Sequence, residues 1–372
     1  MREMSTPRMY NRQPFCAGDT QRIARWRISL FALVLALSFL VPQATAQTLT
    51  LSTAPGGITI LGGGGAFSGS FGTMNALAAG TPSAGMTAIA LSNGTLYYTP
   101  YNLRVSALGG AGRSASVTAY VSTNFAHPAA LIAESCPSGS SCNSSGQYSV
   151  LSTSPATPTT VITSLGNNQT TTAGLAVFVS DNNGASHFAG ADTVRITFTI
   201  TNLFNGRQKT VTLTLSATIQ TAVQLTLSTA PGGATITPAS DFNLNFGNVN
   251  ALGIGPGAGF TTSAVAGGMI YHTPYLLNPA FSAMASTTAT IKVYVSMNFA
   301  HPALLTMNDA TATNGPYTAI STNVGAQTQI TNAAANRSTI TRYLGLFVSN
   351  VNGASAFNGT DTAVLTFTLT VP

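Results

Sequence analysis

One long sequence unit occurs twice in this chain of 372 residues. Residues 51–57 (LSTAPGG) recur unchanged at 227–233, and residues 124–129 (NFAHPA) recur unchanged at 298–303. The offset between equivalent residues changes only from 176 to 174 between these two motifs. A period this long indicates tandem globular domains rather than a solenoid of short repeats. Each copy is long enough to bury a hydrophobic core of its own.

Within each copy, polar and apolar residues alternate along several segments. Residues 209–216 (KTVTLTLS) alternate threonine with aliphatic residues, and residues 194–201 and 364–370 do nearly the same. This period of two predicts half-buried β-strands with Val, Ile, Leu and Phe on the inner face. Clusters of Gly, Pro, Asn and Ser separate such runs, and no amphipathic helical period is present.

These patterns predict an all-β fold with two tandem antiparallel β-sandwich (Ig-like) domains. We place the first domain at residues 47–222 and the second, homologous domain at residues 223–372. The residues before them have a different composition and need a separate explanation.

The N-terminal segment has the three-part layout of a secretory signal peptide. Polar, arginine-containing residues 1–27 precede the apolar run 28–41 (ISLFALVLALSFLV), which is followed by Pro42 and an Ala-Thr-Ala sequence. This layout predicts a signal peptide over residues 1–46 and Gln47 as the mature N-terminus. The alternative is an uncleaved membrane anchor, but the run is shorter than the ~20 residues that span a bilayer. We therefore expect a protein that is secreted, or lies at the cell surface or in the periplasm, with no membrane span after cleavage.

The positive charge of the chain is concentrated in this segment. The formal net charge is +6, yet only 6% of the residues are charged. The arginines before residue 28 are Arg2, Arg8, Arg12, Arg22, Arg25 and Arg27. Without them no basic patch is left that would bind nucleic acid. No cofactor is expected either, because the glycine run 62–65 is not followed by the Lys-Ser/Thr of a phosphate-binding loop.

Cys136 and Cys142 are the two cysteines that follow the predicted signal peptide. In an oxidising compartment we expect them to form a disulfide that closes a small loop. The alternative is a metal or redox pair, which is disfavoured because no histidine is nearby and the spacing is not Cys-x-x-Cys. So small a loop should add little to global stability, since the entropic gain grows with loop length.

The two copies differ after the strand predicted at 194–201. The first copy continues through Asn205-Gly206, a favourable hairpin turn, into a further strand candidate at 209–219, for which the second copy has no counterpart. Two interpretations follow. The first copy carries a dispensable edge strand that also spaces the domains, which is the interpretation we favour. Alternatively, the second copy lacks a strand that its sandwich needs, so that a partner's strand adds to an open edge.

Two acids and two histidines occupy equivalent positions of the copies, namely Asp192 and Asp361, and His127 and His301. A glycosidase usually needs two opposed carboxylates at one site, which one shared acid per copy does not provide. We favour a structural interpretation, in which the aspartates hydrogen-bond turn backbone and the histidines lie in turns. Residues 181–184 (DNNG) lack the ligand spacing of an EF-hand and are also predicted to be a turn. We therefore predict no catalytic residues and no metal site, and a secreted hydrolase is the least favoured alternative.

Four tyrosines lie in two equivalent motifs that contain a proline. They are Tyr97, Tyr101, Tyr271 and Tyr275. Their rings could stack on sugars, which makes a carbohydrate-binding or adhesive module the runner-up function. Packing within a sheet is the more common role of such residues, and we favour it.

Two motifs in each copy resemble those of a known group of secreted proteins. Phe-Gly-x-x-Asn follows an opening strand at 71–75 and 246–250, and Gly-x-Asp-Thr leads into a threonine-rich strand in both copies. In these motifs the chain resembles bacterial spore-coat-U and archaic-pilin-type domains. The resemblance implies Ig-like sandwiches that polymerise by donor-strand exchange. The chain departs from the pattern because the copies share no disulfide and because both lie in one polypeptide.

The predicted surface of Thr, Ser, Asn and Gln carries hardly any charge. It therefore lacks the charges that normally keep strand edges from pairing with other chains, which suits a subunit that associates edge to edge. We predict an exported, non-enzymatic structural or surface protein, pilus- or coat-like, whose partners are other surface-protein subunits or itself. Glycans are the alternative partners, and neither nucleic acid nor a membrane is expected.

Overall fold

The computed structural model describes residues 46–78, 80–181, 189–237, 241–282, 286–351 and 357–372. Apart from Ala46, the predicted signal peptide lies outside these residues, as does the predicted turn after Asp181. The described structure is β-strand except for loops, turns and two short 3-10 helices, Ser145–Gln147 and Val324–Ala326. The predicted all-β class is confirmed. Among the residues described, none of the helices has the length and apolar character needed to cross a membrane.

Residues 48–219, the N-terminal half, form two six-stranded sheets. The strands are β1 (Thr48–Thr53), β2 (Leu61–Gly63), β3 (Ala66–Met74), β4 (Thr87–Leu91), β5 (Gly94–Ser106), β6 (Ser114–Thr123), β7 (Leu131–Cys136), β8 (Ser149–Val150), β9 (Thr159–Gly166), β10 (Thr170–Ser180), β11 (Gly190–Asn202) and β12 (Gln208–Ile219). One sheet has the order β1-β5-β10-β7-β8, with β4 also beside β5, and the other has the order β2-β3-β12-β11-β6-β9. These pairings are antiparallel except that of β3 with β12, which is parallel.

Residues 223–370, the C-terminal half, repeat most of this arrangement. The strands are β13 (Val223–Thr229), β14 (Thr261–Val265), β15 (Gly268–Phe281), β16 (Thr288–Met297), β17 (Leu305–Ala310), β18 (Thr318–Ala319), β19 (Thr328–Ala335), β20 (Ile340–Ser349) and β21 (Val364–Thr370). One sheet has the order β13-β15-β20-β17-β18, with β14 beside β15, and the other has only three strands, β19-β16-β21. Strand pairing in the described residues stays within one half or the other. The domain boundaries at 47–222 and 223–372 stay predictions.

The two halves differ in the size of the second sheet. Within the described ranges, β2, β3 and β12 have no counterpart among the strands of the C-terminal half. Strand β12 lies inside its sheet, between β3 and β11, and its inward residues Val211, Leu213 and Leu215 are at most 3% exposed. The interpretation of this strand as a dispensable edge strand is therefore wrong, because removing it would split the sheet and uncover the core.

Each half has its own hydrophobic cluster. The first runs from Leu49 to Ile219, and one partly buried residue, Met86, packs against it. The second runs from Ile236 to Val348, and many partly buried residues pack against it. The alternation of apolar and polar residues places these side chains inward, since successive side chains of a strand point to opposite faces.

A proline in each long central strand fits the sheet because the neighbouring strand changes there. On one side of β5, strand β4 pairs as far as Tyr98 and β1 begins to pair at Tyr101, so Pro100 falls in the gap between them. A proline cannot donate a ladder hydrogen bond, and this position does not require one on that side. In β15, Pro274 occupies the same gap between the partners β14 and β13.

Candidate functional site

The end strand of the three-stranded sheet, β21, has one open edge. It pairs with β16 from Thr290↔Thr370 to Met297↔Val364, and no described strand pairs with its other side. Its counterpart β11 pairs with β6 on one side and, from Gly190 to Thr201, with β12 on the other. Unpaired backbone N–H and C=O groups along an edge are a template for a further strand.

The inward side chains of β21 are less well covered than those of β11. Ile196, Phe198 and Ile200 of β11 are at most 1% exposed. The residues at the same repeat positions of the C-terminal half, Leu365, Phe367 and Leu369, pack against the second cluster but are only partly buried. The difference in burial follows from β12, which covers the core in one half and has no described counterpart in the other.

The opposite wall of this region shows the same difference. In β3, Phe67, Phe71 and Met74 are between 0% and 5% exposed. The corresponding residues of the C-terminal half lie in segment 241–249, which is not a strand, and its Phe242 is 39% exposed. We call the open edge of β21, together with segment 241–249, the open groove. By the repeat, β21 and segment 241–249 correspond to β11 and β3, the two neighbours of β12 in the N-terminal half.

A buried ion pair lies behind the open groove. Arg342 donates hydrogen bonds to Asp309, and the Tyr275 hydroxyl donates to the Asp309 carboxylate at 3.1 Å. The rings of Tyr275 and Phe367 meet edge to face, with centroids 6.1 Å apart. Burial, together with the charge of Asp309, raises the pKa of Tyr275 well above its ordinary value, so the hydroxyl keeps its proton and remains a donor.

The N-terminal half has the same aromatic contact without the charges. Tyr101 and Phe198 meet edge to face at 6.0 Å. Strand register places Ser135 where the C-terminal half has Asp309, and Ala173 where it has Arg342. This ion pair is not visible in the sequence, because its members lie on different strands and only the strand register brings them together.

The four tyrosines, for which packing within the sheet is favoured over sugar stacking, are all buried. Tyr97, Tyr101 and Tyr271 are 0% exposed and Tyr275 is 1% exposed. The hydroxyls of Tyr97 and Tyr271 donate to the backbone carbonyls of Asn75 and Asn250, respectively. The sugar-stacking interpretation is therefore wrong for these residues, because a buried ring presents no face to a ligand.

Asp192 and His127, two of the polar residues repeated in both copies, contact each other. The Asp192 carboxylate accepts hydrogen bonds from the backbone N–H groups of Ala126, His127 and Thr193, at 2.7 to 3.1 Å, and lies 3.2 Å from His127 Nδ1. Burial raises the pKa of Asp192, but these hydrogen bonds lower it more, and the pKa falls below its ordinary value of 3.8. Asp192 thus fastens the loop after β6 to the start of β11.

The C-terminal half repeats this clamp. Asp361 accepts from the backbone N–H groups of Ala300, His301 and Thr362, and lies 3.1 Å from His301 Nδ1. Hydrogen bonds from these groups outweigh the effect of burial and lower the pKa of Asp361. Because both carboxylate oxygens are engaged by backbone in both halves, the geometry favours a structural role over a catalytic one.

Asp181 joins the two halves. It is 1% exposed and forms an ion pair with Arg337, while Asn336 donates to its backbone carbonyl at 3.3 Å. The remainder of the predicted turn lies outside the described residues. In those that are described, no group of three or more His, Cys, Asp or Glu side chains could hold a metal ion.

The predicted disulfide between Cys136 and Cys142 is present, with Cα atoms 5.8 Å apart. It closes a short loop at the end of β7. Tyr148, beyond that loop, donates its hydroxyl to the Cys142 carbonyl at 3.0 Å and packs against Tyr98. The disulfide therefore restrains a local segment, residues 137–148, which we call the flap. It lies in the N-terminal half and makes no contribution to the open groove.

No family model matches the chain, and no curated protein matches it. Among solved structures it is similar to the CooA pilin subunit from enterotoxigenic Escherichia coli, with 14% identity, a TM-score of 0.25, and coverage of 46% of this chain and 99% of that one. It is also similar to the CsuC–CsuE chaperone–tip adhesion subunit pre-assembly complex of archaic chaperone-usher Csu pili of Acinetobacter baumannii, with 8% identity, a TM-score of 0.32, and coverage of 87% and 99%. A third similar structure is the CupB6 tip adhesin from Pseudomonas aeruginosa, with 10% identity, a TM-score of 0.28, and coverage of 88% and 96%. The second of these structures is described as part of an archaic chaperone-usher pilus, the class that the sequence motifs resemble.

Proposed function

We propose that this protein is an exported, non-enzymatic surface subunit of the pilus type, whose C-terminal half takes up a strand of another subunit in the open groove. The observation that carries the proposal is the position of β12. The N-terminal half completes its own sheet with this strand, and in the C-terminal half no described strand pairs at the corresponding edge.

The chemistry of the incoming strand follows from β12. Its inward residues are aliphatic or small, and its outward residues are mostly threonine and serine. The inward set is Val211, Leu213, Leu215, Ala217 and Ile219. A partner segment with this alternation would cover the half-buried side chains of β21 and satisfy its unpaired backbone groups.

A synthetic peptide with the β12 sequence, residues 208–219, is the probe that tests this function. We expect the labelled peptide to bind the full chain saturably, as measured by fluorescence anisotropy. Leu365→Asp should abolish binding, because it places an unpaired charge where the peptide would be buried. Thr368→Asp, on the outer face of the same strand, is the matched control and should bind normally.

Two results would contradict the proposal. One is failure of the peptide to bind the unaltered chain, and the other is equal binding by the Leu365→Asp variant. A peptide with aspartate in place of Leu213 and Leu215 controls for nonspecific adhesion of threonine-rich strands and should not bind.

A further inference from the structure

We infer that residues 311–317 of the C-terminal half form an acid-sensitive cover, which stays closed while the buried ring of His272 is neutral and opens when that ring takes up a proton. We call this segment the C-terminal flap. It packs on the sheet that contains β15, whereas β21 belongs to the other sheet. The inference therefore does not depend on the proposed function.

The flap of the N-terminal half covers a small apolar cluster that is separate from the main core. Successive residues of β5 divide between the two, because Tyr97 and Tyr101 lie in the main cluster and Tyr98 packs against the small one. Tyr148 of the flap meets Tyr98 with ring centroids 5.5 Å apart. A disulfide closes this flap covalently.

The C-terminal flap makes the same aromatic contact, but with a ring that titrates. The repeat aligns Tyr317 with Tyr148 and His272 with Tyr98. The rings of Tyr317 and His272 lie 5.2 Å apart, and the Tyr317 hydroxyl donates at 3.0 Å to the Thr313 carbonyl of its own flap. Residues 223–372 contain no cysteine, so packing alone holds the C-terminal flap where the N-terminal half uses a disulfide as well.

His272 is enclosed beneath this flap. It is 2% exposed, and its Nε2 lies 3.0 Å from the Ser263 hydroxyl. On the neighbouring strand it is paired with Gly345, where a Cβ would lie only 2.9 Å from the Tyr317 ring. The tyrosine ring thus packs onto bare backbone and shields the imidazole from water.

Protonation of this enclosed imidazole is costly, because a charge is poorly solvated away from water. Burial therefore lowers the pKa of His272 below its ordinary value of 6.5. The closed flap then binds fewer protons than the open one, so closure is fully favourable above pH 6.5 and becomes less so as the pH falls below that value. Tyr98, at the equivalent position of the N-terminal half, gains no charge in acid.

The other groups around His272 do not change their charge in mild acid. Strands β14 and β20 contribute a hydroxyl and a glycine, and the flap contributes Tyr317. Burial raises the pKa of Tyr317, with smaller effects of Tyr343 and Asp309, so the Tyr317 hydroxyl keeps its proton. Asp309 is 4% exposed and already ion-paired in the core.

Hydrogen–deuterium exchange of the full chain at about pH 7.5 and about pH 5, corrected for the intrinsic pH dependence of amide exchange, tests this inference. We expect protection in the C-terminal flap to fall by about three-fold or more at the lower pH. His272→Tyr installs the residue of the N-terminal half and should abolish this loss, while leaving Asp309 in place. Unchanged protection in the unaltered chain, or an equal loss in both proteins, would overturn the inference.

The pKa of His272 gives an independent measurement that leaves the histidine unaltered. NMR of the imidazole C–H groups follows its titration in the full chain. Tyr317→Ala should raise the pKa of His272 toward 6.5, because the imidazole gains access to water. Tyr148→Ala, at the same position of the other half, is the matched control and should leave that pKa unchanged. A pKa of His272 that is the same in the Tyr317→Ala variant and the unaltered chain would contradict a covering role of the C-terminal flap.

Discussion

Phe198 and Phe367 hold the same position on the last strand shared by the two halves, yet Phe198 is 1% exposed beside β12 and Phe367 is only partly buried. Both rings meet a tyrosine edge to face at nearly the same distance. The two phenylalanines therefore pack against the core in the same way, and they differ only in whether a neighbouring strand shields them from solvent. The N-terminal half shows what a completed C-terminal half would bury.

Truncation of equivalent core residues should therefore have unequal effects in the free protein. Ile196→Ala should lower the free energy of unfolding of its half by about 2–5 kcal/mol, because it opens a cavity in a closed core. Leu365→Ala should cost clearly less, because Leu365 already contacts water. Urea unfolding followed by tyrosine fluorescence measures both. A larger loss for Leu365→Ala would contradict an open groove.

Removing one member of the buried ion pair between Arg342 and Asp309 should destabilise the C-terminal half more than replacing both members. Arg342→Ala should destabilise the C-terminal half by about 3–5 kcal/mol, because it leaves the Asp309 carboxylate buried without its counter-charge. The double variant Asp309→Ser, Arg342→Ala installs the residues of the N-terminal half and should recover most of that loss. Urea unfolding of both variants measures the recovery. A double variant as unstable as the single one would contradict this account.

Much of the fold could be predicted, because the positions of most strands are indicated by patterns in short stretches of the sequence. The alternation in residues 209–216 and 364–370 identified strands correctly, and the repeat indicated that both halves are built alike. The position of β12 in its sheet could not be read this way, because the period of a strand does not say which strands lie beside it. Strand β3 was also difficult to predict from the sequence, because a register shift near Gly72 interrupts the alternation of apolar and polar residues.

The candidate site could not be predicted in the same way, because it is formed by contacts between residues that are far apart in the sequence. Asp192 and His127 were each identified as repeated polar residues, but their partnership spans 65 positions and comes from the pairing of β11 with β6. For the four tyrosines, packing within the sheet was favoured over sugar stacking, but their local sequence alone could not decide between the two. An exposed and a buried Tyr-x-Thr-Pro-Tyr motif have the same local sequence, and only the covering sheet decides between them.

The clamp of Asp192 should contribute stability that acid removes. Its folded pKa is lowered, so the contribution is fully present above the ordinary carboxyl value of 3.8 and is lost as the pH falls through the lower folded pKa. Asp192→Ala should cost about 1–3 kcal/mol at neutral pH, because it removes the charged acceptor of the backbone hydrogen bonds from Ala126, His127 and Thr193. Denaturant unfolding at neutral pH and below the folded pKa measures the difference. If the difference in free energy of unfolding between Asp192→Ala and the unaltered chain did not decrease at low pH, the stabilising role of the Asp192 carboxylate would be contradicted.

Removal of the disulfide should loosen one flap and leave the sandwich folded. Cys136→Ala installs the residue that the C-terminal half has at the same position, Ala310, and with Cys142→Ala it leaves no unpaired thiol. The global loss should be no more than about 2 kcal/mol, because the bond closes a loop with a sequence separation of only six. Hydrogen exchange should accelerate between residues 137 and 148, where the Tyr148 hydroxyl depends on the Cys142 carbonyl. Faster exchange throughout β5 and β10 would instead mean that the disulfide supports the core, a role that the C-terminal half fulfils without one.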